Sequence, residues 1–508
     1  MRRCKTILSA FLLLVLAGCA TSALKLAPAH PNQPWKPVTD AAGEIQPGEP
    51  ASESGDAYVL PSNAALSAVP PSPPTLSSDH PYSLAELIDV AESNNPDTRI
   101  AWDSARNAAL AAGIAESAYL PHVTASVVAG YQVSDGRNSA LGFSASGSHS
   151  SSGTISALSA EWLLYDFGQR DAVVEAAQQV SIGANIAFTA AHQQVIYNVS
   201  VAYFADAAAQ FRVGIAARSL KNAETVEAAA QERFKHGIGT VIETAQARQA
   251  TAQARLAQVQ AEGAAQNSHV ALLASMGISP LVSLKAAPLA RQVLVPSAVG
   301  SVDKIVSDAL ARRPDMLAAY ATQKASAANI RAAEADFLPK VFITTTGSYS
   351  SAGFGLTALP SVGQQPPTFN LSGSQLGATV IAGITIPIYD GGVRDAVLGQ
   401  ARATADKADA LLIQTRNQAI RQIVAAQNAL KSSVSAYEAA TALEKASQTS
   451  FDAALAAYRS GVGSITDVTA AETQLLQAGN AATDSYTGAR SAAVTVAFFA
   501  GGLGSASE

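Results

Sequence analysis

Two nearly identical phrases carry the residue types with most scope for chemistry. FKHGIGTVIE spans residues 234–243, and YRSGVGSITD spans 458–467, 224 positions later. Each runs aromatic residue, base, two glycines one residue apart, small hydroxyl and acid. The first supplies Lys235, Gly237, Gly239 and Glu243; the second supplies Arg459, Gly461, Gly463 and Asp467. A glycine pair invites comparison with a phosphate loop, but no strand precedes either pair and the third glycine of GxGxxG is missing. The glycines read instead as a close helix reversal. The acids have two readings. A carboxylate in the first turn of a helix is favoured by the helix dipole, whereas acids gathered around one axis repel, bind cations and raise one another's pKa. The seven histidines are scattered, with no HExxH and no His/Cys cluster. No metal, cofactor or catalytic residue is expected, and the chain does not read as an enzyme.

Charged residues make up 14% of the 508-residue chain, against about 25% in ordinary soluble domains. The net charge of −6 leaves no basic footprint for nucleic acid. At the N-terminus Arg2, Arg3 and Lys5 precede an apolar run from Thr6 to Ala17 that closes on Leu16-Ala17-Gly18-Cys19. This is the pattern of a secretory signal, and it is short of the roughly 20 residues a membrane helix needs. The ending resembles the bacterial lipoprotein signal, which implies removal of residues 1–18 and lipidation of Cys19. Ala20 behind the cysteine, rather than Asp, implies the outer membrane. With Cys4 removed and Cys19 lipidated no disulfide remains, so packing or assembly must stabilise the fold. No other stretch approaches 18 apolar residues, which leaves β-strands as the way to cross a membrane.

The elements that must position the two turns follow from laying the chain against itself. Residues 19–80 are a Pro/Ser/Ala-rich tether. Beyond it, SLAELIDVAESNNPD (83–97) matches SVDKIVSDALARRPD (301–315), and AYLPHVTAS (118–126) matches DFLPKVFIT (336–344). WLLYDFGQRDAV (162–173) then matches PIYDGGVRDAV (387–397), and the turns follow in the same order. Two repeats result, 81–290 and 300–499, with a tail at 500–508. Pro96 and Pro314 suit a first helical position; Asn95 is a credible N-cap and Arg313 a poor one. A helix of about 20 residues in each repeat stops near Pro121 or Pro339. A β-hairpin rich in β-branched and hydroxyl residues follows. Residues 168–236 and 392–460 contain no proline, and a continuous helix of that length is roughly 100 Å long. Ile423, Ala426, Leu430, Val434 and Tyr437 form its buried stripe in the second repeat, and a second helix returns after each turn.

Two hairpins supply four strands per chain, and an open sheet in lipid exposes unpaired backbone groups at several kcal/mol each. Closure requires partners. Two copies would make a barrel filled by its own side chains, and three a 12-stranded duct. Tyr131, Trp162, Tyr165, Tyr349 and Tyr389 flank the strands and are candidates for interfacial girdles or for packing against neighbouring strands.

From Ser83 to about Phe499 the chain resembles the TolC-like outer-membrane efflux and secretion ducts. The residues that carry the resemblance are Leu120-Pro121, Leu338-Pro339, Tyr165-Asp166-Phe167-Gly168, Tyr389-Asp390-Gly391-Gly392 and the two GxG turns. It implies an α+β membrane protein: a homotrimer whose 12-stranded β-barrel, four strands per chain, continues into a long α-helical barrel. It also implies docking onto a periplasmic adaptor protein and an inner-membrane RND or ABC transporter. Small toxic compounds or a secreted polypeptide would be exported, with no cofactor and no chemistry in the duct itself. By the resemblance Asp467 falls in an acidic ring at the periplasmic entrance, with Glu243 as the second gate candidate. Arg459 and Lys235 are candidates for closing salt bridges, and Gly237, Gly239, Gly461 and Gly463 mark the adaptor-docking tips. The sequence departs from the family where a second acid would fit, since Ala470 stands there, and Gly463 leaves no base inside the second tip. A different class of reading is a lipid-anchored periplasmic coiled coil without a pore.

Overall fold

The computed structural model describes 25–27, 31, 35, 37–42, 44–46, 60–67, 76–77, 80–140, 143–291, 302–350, 355–358, 369–372 and 375–504. The expected signal segment and Cys19 lie outside these residues, as does much of the tether. Met1–Pro74 and Thr75–Glu508 are separate compact units. In the first, Val38–Thr39 pairs with Ile45–Gln46, and Asn63 caps a short turn of helix at Ala64–Leu66.

The second unit holds both repeats. The first runs α1 (Leu84–Asn94), α2 (Pro96–Ser117), β1 (His122–Ala140), β2 (Phe143–Tyr165), α3 (Gln169–Lys235) and α4 (Val241–Ser275). The second runs α5 (Val302–Arg312), α6 (Pro314–Ala335), β3 (Lys340–Ser350), β4 (Gln375–Thr385), α7 (Val393–Ser460) and α8 (Ile465–Phe499). Asn95 caps α2 as its side chain promises, accepting from Asp97 N at 2.9 Å. Arg313 makes no cap bond. Its buried guanidinium instead donates to Phe499 O at 3.1 Å and to Asp315 at 2.7 Å, which ties the start of α6 to the end of α8.

The strands form one antiparallel sheet in the order β4-β3-β2-β1. The two hairpins therefore join edge to edge through β2 and β3, with a register shift between Leu163 and Tyr165. Between β3 and β4 the short segments Gly355–Ala358 and Phe369–Ser372 pair with each other. Alternation is clear on β4, where Leu376, Val380 and Ile384 are exposed while Gly377, Thr379, Ile381 and Gly383 are partly covered. Leu158, Trp162 and Leu164 of β2 are exposed with the same period of two.

Each long helix begins at a glycine in the left-handed region, Gly168 at φ 90° and Gly392 at φ 88°. The aspartate before it closes the junction. Asp166 accepts from Arg170 N at 2.9 Å and Nε at 3.0 Å, and Asp390 accepts from Arg394 N at 3.0 Å. Arg170 also donates to Leu163 O and Ala118 O, so strand, short helix and long helix meet on one guanidinium. Helices α3 and α7 are unbroken over 67 and 68 residues. Ile423 and Ala426 of the anticipated stripe are buried, and Leu430, Val434 and Tyr437 are half-buried. Helix α3 pairs with α4 and α7 with α8, while α3 against α8 joins the two coiled pairs. Midway along, Leu87, Ile88, Val195, Val199, Phe204, Leu272, Leu273 and Met276 form the main apolar core.

Candidate gate at the helical tips

Both GxG segments reverse the chain by the same device. In the first, Ile238 N and Gly239 N both donate to Arg233 O at 3.0 Å; in the second, Val462 N and Gly463 N both donate to Ala457 O, at 3.1 and 3.0 Å. The leading glycines, Gly237 at φ 73° and Gly461 at φ 86°, occupy a region that side chains avoid. A Cβ on Gly239 would lie 2.9 Å from Phe234 N. The returning helices are capped by Thr240 and Ser464. Ile238 and Val462 stand exposed at the apexes.

The two acids differ in surroundings. Asp467 completes a capping box, its Oδ2 accepting from Ser464 Oγ at 2.8 Å and Ser464 N at 3.3 Å. That is the first-turn role allowed by its position. Glu243 instead accepts from the hydroxyl of Tyr458 at 3.2 Å, across the gap between the two coiled pairs. Lys235 turns back to Glu232 on its own helix at 3.3 Å, and Arg459 forms no ion pair among the described residues of the protomer. Neither base bridges the hairpins within one chain.

The base that does bridge them at the tips is Arg233. Its Nη1 donates to Tyr458 O at 3.0 Å, its Nη2 to Ile238 O at 3.3 Å, and its guanidinium carbon lies 4.9 Å from the Tyr458 ring centroid. Tyr458 is 1% exposed and packs with Val226, Phe451, Ile465 and Val468. Burial, then the Glu243 charge, pushes its phenol above the ordinary value. One sequence signal marked Arg233: the equivalent position in the second repeat is Ala457. Further up the seam, Ser219 of α3 donates to the buried Glu472 of α8, and Arg212 pairs with Asp484. The seam thus has polar ties at several depths, the lowest of them at the tips.

Long paired helices ending in two tight tips, below a sheet whose exposed face is apolar, are the parts of a membrane duct. The pattern of the Outer membrane efflux protein family matches residues 87–278 and 305–502, once for each repeat. The chain belongs to this family. Among its relatives, protein CyaE of Bordetella pertussis is 26% identical over 410 residues, covering 80% of this chain and 81% of CyaE. The cation efflux system protein CusC of Escherichia coli K12 is 28% identical over 324 residues, covering 63% and 66% of the two chains. A solved structure of CusC superposes with a TM-score of 0.70 at 22% identity, over 85% of this chain and 97% of that one.

That likeness shows the fold: an internally duplicated α+β membrane protein whose four strands are one chain's arc of a β-barrel and whose helices continue it. In the single chain the barrel is open. Family membership places the chain in the outer membrane as an exit duct with a large helical extension. The family is one of channels rather than enzymes.

Proposed function

We propose that three copies of the chain close a 12-stranded barrel and a helical tunnel, forming the exit duct of a tripartite export system. The observation that carries this reading is the sheet itself: β1 and β4 are its two edges, and each has one side without a strand partner among the described residues. An open edge in hydrocarbon costs several kcal/mol per unpaired group, so closure with neighbouring copies is the way such a sheet survives in lipid. Four strands are too few for a barrel and eight would be filled by side chains; twelve leave a lumen. The aromatic residues Tyr131, Trp162, Tyr165, Tyr349 and Tyr389 are all exposed on or beside the strands and suit the interfacial girdles.

At the other end the apexes, with Ile238 and Val462 exposed, are the docking points for a periplasmic adaptor that links the duct to an RND or ABC transporter. Asp467, Glu243, Arg459 and Lys235 are the gate candidates there, joined by Arg233 and Tyr458. Cys19 carries the lipid anchor, and residues 19–80 are the tether. We propose small toxic compounds as the cargo, with a secreted polypeptide as the alternative; one relative is named for cation efflux.

Unheated SDS gels of the purified protein, with cysteine pairs placed along β1 and β4, test the assembly. Trimers that collapse on heating, cross-linked only through these edges, are expected. Monomers without edge cross-links contradict closure and favour a pore-less coiled coil. A deletion strain that gains sensitivity to toxic compounds supports the cargo assignment; loss of one secreted polypeptide with unchanged sensitivity assigns type I secretion instead.

A further inference from the structure

A second polar feature lies well above the tips, where no role in gating is needed. Between α3, α4 and the segment after α4 is a cleft of about 580 Å³ lined by Tyr203, Asp206, Phe211, His269, Leu284 and Leu289. Its walls are mostly aromatic and aliphatic. Its polar members are Gln210, His269, Lys285 and Asp206, of which Asp206 is 4% exposed and its Oδ1 has no hydrogen-bond partner. A buried carboxylate oxygen without a donor is costly and is normally paired or hydrogen-bonded.

The surrounding groups do not fully meet that need. From α4, His269 Nδ1 stands 3.9 Å from Asp206 Oδ1, an ion-pair distance but beyond a hydrogen bond. From the following segment Lys285 borders the cleft, and its residue is exposed. From α8, Arg490 is occupied over the ring of Phe204 at 5.5 Å. On α3 itself, Tyr203 directs its hydroxyl to Ala287 O at 3.0 Å, away from the carboxylate. A buried acceptor, flanking aromatic faces and an apolar floor are the complement of one ligand class.

We propose that this cleft binds a primary ammonium group carried on a compact apolar body, with the ammonium on Asp206 and the body against Tyr203, Phe211, Leu284 and Leu289. The site shares no lining residue with the tips. It also makes His269 a competitor for the same carboxylate. Asp206 holds the imidazole above its ordinary range, so the ligand gains as pH rises and His269 gives up its proton.

Calorimetric titration of the full-length protein in nanodiscs, with phenethylamine and its neutral isostere 2-phenylethanol, tests the site. The amine is expected to bind about tenfold or more tightly than the alcohol, since a charge-assisted bond is at stake, and Asp206→Asn is expected to erase the difference. Amine affinity should rise as pH is raised through and above the ordinary histidine value of 6.5 in the wild type, and in His269→Gln it should be flat. Equal binding of amine and alcohol, no binding of the amine, or an unchanged titration in Asp206→Asn overturns the proposal. Should Asp206→Asn fail to fold, His269→Gln decides: a pH dependence identical to wild type also overturns it.

Discussion

The guanidinium of Arg233 donates to the main-chain oxygen of Tyr458 at 3.0 Å while lying against its ring, so the end of the first coiled pair grips the end of the second. Opening that separates the two hairpins at the tips requires this contact to break.

Arg233→Ala is therefore expected to raise the open fraction of the duct about tenfold or more, the equivalent of a charged hydrogen bond worth roughly 1.5–3 kcal/mol. Arg233→Lys should recover part of the closure, since it keeps the charge and loses the fork. Open-state occupancy in planar bilayers is the readout. An occupancy unchanged by either substitution removes Arg233 from the latch.

Asp467 serves as a capping group in the protomer and is proposed for an acidic ring in the assembly, and two substitutions separate these roles. Ser464→Ala should lower stability by about 0.5–2 kcal/mol through loss of the cap, with conductance intact. Asp467→Asn should alter conductance and block by divalent cations. Unaltered conductance, selectivity and block would exclude Asp467 from the gate.

At the strand-to-helix junctions the two repeats predict unequal costs. The Arg170 side chain is 12% exposed and pairs with an Asp166 side chain at 5%, whereas the Arg394 and Asp390 side chains are 26% and 27% exposed. Arg170→Ala leaves a buried carboxylate unpaired and should cost about 3–5 kcal/mol. Arg394→Ala should cost clearly less. Thermal unfolding of both variants checks the order, and equal losses would show that burial of the pair is not what matters.

Much of this was legible in the sequence because the signals are local. The helices of 67 and 68 residues, the Asn95 cap and the glycine reversals each depend on residues within a few positions of one another, and the duplication on short segments that match one another directly. What stayed hidden depends on pairing across the chain. Nothing near Lys235 says that it turns back to Glu232, nor that Arg233, two residues earlier, is the one to reach Tyr458. Arg170 sits inside the repeated segment, yet its value comes from carbonyls just after α2 and in β2 that only the fold assembles. The edge-to-edge joining of β2 and β3 is likewise a product of topology rather than of either hairpin's pattern.

Glu472 gives the seam a pH dependence of known sign. Burial pushes its carboxyl above the ordinary value of 4.5, against the opposing pull of the Ser219 hydroxyl. The folded chain thus holds a proton that the unfolded chain has released. Stability from this group is complete below about 4.5 and declines as pH rises toward the raised value. Glu472→Gln should flatten this part of the stability profile measured by thermal unfolding across pH. A profile identical to wild type would mean that Glu472 is already charged in the fold.

The duct itself is tested most directly by single-channel recording of the purified full-length protein in a planar lipid bilayer. A lumen formed by three chains predicts discrete, uniform ionic conductance steps from the heat-labile trimer and none after it is dissociated. Absence of conductance from intact, membrane-inserted trimers would contradict the account.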